Sequence, residues 1–135
     1  MVFIDTNILI YRSFGAEAQK KLIDEVLKNH ENEIVISTQV LNEFINTSIK
    51  RKFFTKEKLL TDTLILFVKN FTVSELTTQT ILDAIEIRKR YGYSHYDSLI
   101  ITSALENNCN ILYTEDLQHS QKIKSKLKII NPFKQ

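Results

Sequence analysis

The sequence predicts an α/β protein of three layers, with helices on both faces of a central parallel sheet of about five strands. Two observations predict it. Short runs rich in Ile and Val alternate along the chain with longer stretches of helical period, the pattern of strand–helix units joined into a parallel sheet. The first apolar run, Val2-Phe3-Ile4, stops at Asp5 and passes at once through Thr6-Asn7 into a second, Ile8-Leu9-Ile10. A strand that ends on an acid and turns into a helix puts that acid at the carboxyl edge of a sheet, where open α/β folds form their reactive crevice.

The elements follow in order. Val2–Asp5 reads as a buried strand. Thr6–Tyr11 starts a helix, and a longer one runs from about Ala16 to Lys28. Glu33–Ser37, rich in Ile and Val, is the second strand, and Ser37 or Thr38 caps a helix that continues to about Arg51. Thr55 opens the next helix, with Leu59, Leu60, Leu64 and Phe67 at helical spacing. Phe71–Ser74 is a short strand. Thr78–Tyr91 is a helix with Ile81, Ile85 and Arg88 along one side, and Gly92 stops it. Ser94–Glu106 is the last long helix; Asn110–Tyr113 and Leu127–Ile130 complete the strands. At 135 residues, without repeat, low-complexity segment or linker, the chain reads as one domain over residues 1–135.

Composition excludes several classes. Gly15 and Gly92 are the only glycines, so neither a dinucleotide-binding fingerprint nor a phosphate-binding P-loop can be built. Cys109 is the only cysteine, which leaves no internal disulfide and no cysteine metal pair and points to a reducing cytoplasm. No signal peptide or membrane span is expected. The net charge of +2 is compatible with a nucleic-acid partner but does not demand one.

Four acids stand out by position. Asp5 ends the first strand, Glu43 lies in the second turn of the helix after the second strand, and Asp116 follows the strand Asn110–Tyr113. These three share one level, because every strand of a parallel sheet points its carboxyl end to the same edge. Asp97, in the first turn of the helix from Ser94, joins them if that helix starts there too. Ile100, Ile101 and Ala104 follow Asp97 at helical spacing, so its carboxylate is expected on an apolar stripe, where it must be neutralised, hydrogen-bonded or bound to a cation. Singly each acid has a plainer account: Asp5 as a helix cap, Ser94 and Asp97 as a capping box, Asp116 as a turn residue, Glu43 as a solvated side chain. Together they form a carboxylate cluster whose repulsion a divalent cation relieves. An all-oxygen donor set favours Mg²⁺ or Mn²⁺ over Zn²⁺, and His30, His95 and His119 have no metal-ligand spacing. Such a site suits phosphoryl transfer. Lys50-Arg51-Lys52 and Arg88-Lys89-Arg90 could hold a phosphate backbone, although basic residues at helix ends also complement the dipole.

The order Asp5-Thr6-Asn7, Glu43, Ser94-His95-Tyr96-Asp97 and Thr114-Glu115-Asp116, with the ending Ile129-Ile130-Asn131-Pro132-Phe133, resembles the PIN-domain family, in particular its VapC-like ribonuclease toxins. The resemblance spans essentially the whole chain. It implies parallel strands in the order 3-2-1-4-5. It implies endonucleolytic cleavage of RNA with Mg²⁺ or Mn²⁺ held by Asp5, Glu43, Asp97 and Asp116, with Thr6, Asn7 and Thr114 in support. It also implies a homodimer and a small inhibitory antitoxin. A housekeeping PIN nuclease and a catalytically silent RNA- or protein-binding module remain alternatives. A haloacid-dehalogenase phosphatase fits poorly, because Asn7 stands where its second aspartate is needed, and a receiver domain fits poorly because Asp5 stands alone at its strand end. One departure from the toxin branch is Ser120, where a glycine is common.

Overall fold

The computed structural model describes residues 1–134. Six strands and six helices alternate as β1 (Val2–Ile4), α1 (Thr6–Phe14), α2 (Glu17–Asn29), β2 (Ile34–Ser37), α3 (Thr38–Lys50), α4 (Glu57–Asn70), β3 (Thr72–Ser74), α5 (Thr78–Tyr91), α6 (His95–Glu106), β4 (Ile111–Tyr113), β5 (Lys122–Ile123) and β6 (Leu127–Ile130). The sheet order is β3-β2-β1-β4-β6-β5, giving the three-layer α/β/α arrangement the sequence predicts. Every pairing is parallel except β5 with β6.

The central strands are short and wholly apolar because they are covered on both faces. Val2, Phe3 and Ile4 of β1 and Val35 and Ile36 of β2 are at most 1% exposed. Around them pack Ile8, Leu9, Phe44, Ile101, Leu112 and Ile129, all fully buried. Cys109 is free and buried, and burial pushes its thiol up to about 11, so it stays an unreactive packing group.

The chain leaves β1 towards β2 and β3, then crosses back through α5 and α6 to place β4 on the other side of β1. The boundary between β1 and β4 is therefore a topological switch point, where the loops diverge to opposite faces and open a crevice. Ile4 pairs with Tyr113 at the ends of these strands, so Asp5 and Thr114, the next residues, stand side by side.

Two elements differ from expectation. The antiparallel β5 extends the sheet to six strands. It is only two residues long and turns into β6 through Lys124 (φ 51°) and Ser125 (φ 57°), a pair of positive φ values normally supplied by Asn-Gly. The helix expected to open at Thr55 begins at Glu57 after Lys56, without a side-chain cap. Gly92 stops α5 as expected: it sits at φ 77° and its N–H closes on the Arg88 carbonyl. Gly15 ends α1 for another reason, since a Cβ there would lie 2.5 Å from the Tyr11 carbonyl oxygen. No helix among the described residues is long and apolar enough to cross a membrane.

Candidate functional site

Asp5 is the anchor. It is 5% exposed and caps α1, the Thr6 N–H donating to its Oδ1 at 2.7 Å. Its Oδ2 accepts from the Thr114 hydroxyl at 2.8 Å. That hydroxyl spends its one proton on Asp5 and receives two donors, Asn7 Nδ2 at 3.3 Å and the Asp116 N–H at 3.2 Å. One threonine oxygen with every valence used thus ties the ends of β1 and β4 together. Asn7 completes the link: its Nδ2 donates to Asp116 Oδ2 at 2.8 Å and its Oδ1 accepts from the Glu115 N–H at 3.3 Å. Thr6, Asn7 and Thr114 therefore all contact Asp5 or Asp116 through hydrogen bonds.

Glu43 and Asp97 arrive on helices. Ser37 caps α3 through the Val40 N–H at 3.4 Å, which sets Glu43 in the second turn. Gln39, one turn earlier on the same face, donates from Nε2 to Glu43 Oε1 at 3.0 Å and to the Tyr96 carbonyl at 3.2 Å. This amide joins α3 to the start of α6. Sequence reasoning missed it, although its spacing of four from Glu43 is the signal for such a pair. Ser94 caps α6, accepting from the Asp97 N–H at 3.2 Å.

The expected burial of Asp97 is corrected. The fully buried acid is Asp5, whereas Asp97 is half-buried. Ile100, Ile101 and Ala104 do enter the core, but a first-turn side chain tilts towards the helix N-terminus and so past the end of the apolar layer.

The electrostatics follow burial and crowding. Burial pushes the Asp5 carboxyl up to about 7, with Glu43 and Asp116 adding repulsion and the hydrogen bonds from Thr114 and Thr6 opposing it. Glu43 is raised by burial and by the charges of Asp97 and Asp116, with Gln39 pulling it down. The Thr6 hydroxyl faces Glu43 and opposes the rise a little, yet it is buried and forms no hydrogen bond within 3.5 Å. Asp97 is raised by burial first, Ser94 lowers it, and Asp116 raises it further. Asp5 thus feels Glu43 and Asp116, Glu43 feels Asp97 and Asp116, and Asp97 feels Asp116.

All four belong to one electrostatic cluster of oxygen donors, the chemistry a hard divalent cation takes. As the side chains stand, no three acids among the described residues converge closely enough to enclose an ion. The reason is visible in the hydrogen bonds: Asp116 is turned onto Asn7 and both Asp5 oxygens face Thr6 and Thr114. Asp116 is the most exposed of the four acids, and Glu43 and Asp97 are half-buried.

The six basic residues divide. Arg51 lines a cleft of about 530 Å³ with Glu43, Asp116, Tyr11 and Phe14. Lys50 and Lys52 flank it, exposed. The run Arg88–Arg90 ends α5, where Lys89 pairs with Glu86 and Arg90 lies over the Tyr91 ring. Two of the three histidines sit as structural groups: His30 Nε2 lies 2.9 Å from the Tyr113 hydroxyl, and His119 Nδ1 accepts from the Asn131 N–H.

The model of the PIN domain family matches residues 2–124. The chain belongs to the PIN-domain family. Solved structures agree on the fold. A toxin–antitoxin complex from Klebsiella pneumoniae aligns with a TM-score of 0.75 at 16% identity, covering 98% of both chains. VapC20 of Mycobacterium tuberculosis, described as a sarcin-ricin loop cleaving toxin, aligns at 0.70 and 16% identity over 86% of this chain and 90% of its own. DNA-bound VapBC from Salmonella typhimurium aligns at 0.70 and 19% identity over 95% of each. No protein of curated function matches in sequence. In this PIN domain the parallel order 3-2-1-4, continued by β6, matches the order implied by the family resemblance, with β5 added at the edge.

Proposed function

We propose that this PIN domain, acting as one unit over residues 1–135, is a metal-dependent endoribonuclease that hydrolyses RNA phosphodiester bonds. The observation that carries the reading is the set of carboxyls raised by burial first and by neighbouring charge second, Asp5, Glu43 and Asp97 with Asp116 beside them, at the switch point of the sheet. Crowded acids in a partly desolvated crevice are a standing electrostatic cost, and a cation removes it.

Asp5, Asp97, Asp116 and Glu43 are the residues that would hold Mg²⁺ or Mn²⁺. The ion, when bound, supplies charge stabilisation and a water of lowered pKa. The chain's own contribution is placement. Thr114 and Thr6 fix the Asp5 carboxylate, Asn7 holds Asp116, and Gln39 orients Glu43. Glu43, whose carboxyl burial raises above the usual range, is suited to take a proton from an attacking water. Arg51 is the nearest phosphate partner in the cleft; Lys50, Lys52, Arg88, Lys89 and Arg90 serve as outlying backbone contacts.

The biological reading is the toxin of a type II toxin–antitoxin pair in the cytoplasm, a homodimer silenced by a cognate antitoxin. Its support is that the fold is shared with structures titled as toxin–antitoxin complexes. Apolar side chains on α4 (Leu59, Ile65, Leu66, Val68) and α5 (Ile81, Leu82, Ile85) are also left exposed, which suits protein partners.

The test is cleavage of single-stranded RNA in Mg²⁺ or Mn²⁺. Activity that survives both EDTA and Asp97→Asn would sink the mechanism. Growth arrest on expression, relieved by Asp5→Ala, separates a toxin from a housekeeping nuclease, which cleaves RNA without arresting growth. A second reading, a silent RNA- or protein-binding module, is favoured by the lack of a converged acid trio in the described residues. It gains if calorimetry detects no divalent-ion binding while RNA still binds in a salt-dependent way.

A further inference from the structure

Glu43 borders two clefts of different chemistry. The one shared with Asp116 carries a cation, Arg51. The other, of about 460 Å³, lies between α3 and the start of α6 and is lined by Thr38, Gln39, Asn42, Asn46, Tyr96 and Leu99 together with Glu43 and Leu76. No cation lines this second cleft, and Glu43 adds a negative charge. A phosphate has nothing to hold it there. A neutral planar ring with polar edges does: one aromatic surface, three side-chain amides and two leucines.

The parts are arranged by the helix. Gln39, Asn42 and Asn46 follow one another at intervals of three and four along α3, which puts their amides in one stripe beginning beside Glu43. Tyr96 is 68% exposed, an unusual position for a large aromatic side chain, and its backbone is pinned through the Gln39 bond to its carbonyl. It directly precedes Asp97, so the aromatic surface and a candidate metal-holding acid are adjacent. Gln39 is 7% exposed and commits its Nε2 twice, while its Oε1 is buried with no hydrogen-bond partner. A buried acceptor without a donor is costly, and a ligand amine satisfies it. The volume lies in the range of about 300–1,000 Å³ common to small-ligand sites.

We propose that this cleft is a nucleobase subsite, in which an unpaired RNA base next to the scissile phosphate stacks on Tyr96 and turns its edge to Asn42, Asn46 and Gln39 Oε1. Its place beside the cut rests on the nuclease reading; its capacity to bind a base does not. An acceptor that can only be met by a donor favours bases with an exocyclic amine: adenine, cytosine or guanine. Uracil offers a single N–H between two carbonyls and fits worse.

Fluorescence anisotropy with labelled hexanucleotides of A, C and U tests this, in Ca²⁺, which takes the same oxygen ligands as the smaller ion. The expected result is tighter binding of the A and C oligomers than of U. Tyr96→Ala weakens binding roughly fivefold to a hundredfold, the range that one lost base–aromatic stack produces, and Tyr96→Phe recovers it. Asn46→Ala narrows the gap between A and U. In cleavage assays the Tyr96→Ala loss falls on KM more than on kcat. Unchanged affinity and unchanged base preference in Tyr96→Ala and Asn46→Ala, with native circular dichroism, overturn the subsite even if the protein cleaves RNA. Tyrosine-dependent binding without any cleavage leaves the subsite standing and removes the nuclease. If the substitutions instead weaken only the binding of a purified antitoxin, the cleft is a protein-docking surface and the subsite is overturned.

Discussion

At the ends of β1 and β4, Asp5 is buried with both carboxylate oxygens hydrogen-bonded, while across the crevice Asp97 and Glu43 sit half-buried on helices. The strand side is a preorganised, desolvated carboxyl with little freedom to move. The helix side consists of acids able to swing. A binding site for a cation benefits from both: one oxygen source fixed by the sheet, others that close around the ion when it arrives. The difference also predicts where cost is stored. Asp5 carries the burial penalty, and so the strand side should dominate the pH dependence of stability.

The largest expected effect follows from that. In the metal-free protein burial holds the folded-state carboxyl of Asp5 up at about 7, against an ordinary value of 3.8. Between these values the folded state binds more protons than the unfolded one, so stability falls as pH rises through this window and is flat above it. The gap corresponds to about 4 kcal/mol from this group. Urea denaturation at pH 5 and pH 8 in EDTA should show the folded state weaker at pH 8. Adding Mg²⁺ or Mn²⁺ at pH 8 should recover stability, since an ion that binds only the folded state stabilises it. Asp5→Asn should flatten the pH dependence. Its absolute stability gain is smaller than the slope implies, because the new amide must face either the Thr6 N–H or the fully occupied Thr114 hydroxyl. A steep slope retained in Asp5→Asn would show that the strand side is not where the cost lies.

A smaller effect probes the hub. Thr114→Val keeps shape but removes the proton donated to Asp5 and the acceptor used by Asn7 and the Asp116 N–H. Losing a side chain that positions a ligand typically costs about 10–100-fold in metal affinity or activity. Thr114→Ser should restore most of it. Equal losses in Thr114→Val and Thr114→Ser would mean that packing of the methyl, not the hydroxyl, holds the strand side together.

How much of this was legible differs in the same way. The buried parallel strands show as unbroken apolar runs, and their carboxyl-end acids follow from topology, so Asp5, Glu43 and Asp116 could be placed at one edge. Helical period gives a face but not a depth, which is why Asp97, read on an apolar stripe, is only half-buried in the structure. In α5 the period aligns Ile81, Ile85 and Arg88 along one side, and the helix buries the neighbouring stripe, Thr80, Ala84 and Ile87. Small residues there let α5 approach α6, and the Thr80 hydroxyl reaches Glu106 at 2.9 Å. Neither the tertiary choice of a small-residue seam nor the hairpin turn at Lys124-Ser125 leaves a mark in local propensity.

The smallest effect concerns the loop that runs from Asp116 on the strand side. Ser120 has φ 70°, a left-handed conformation in which a Cβ crowds the following carbonyl. Glycine adopts this conformation without that crowding. The conformation is held in place because the Ser120 N–H donates to the Ile129 carbonyl at 2.7 Å, and His119 next to it accepts from Asn131. Ser120→Gly removes the crowding, worth roughly 1–2 kcal/mol. It also adds freedom to the unfolded chain, which takes back about 0.5–1 kcal/mol. The net expectation is a stabilisation of at most about 1.5 kcal/mol, visible as a slightly higher urea midpoint with an unchanged slope. Cleavage should stay within about twofold, since the substitution leaves the acids and their hydrogen bonds untouched. A fall in activity without loss of stability would tie the loop's rigidity to Asp116, and so extend the fixed side of the site beyond the strands.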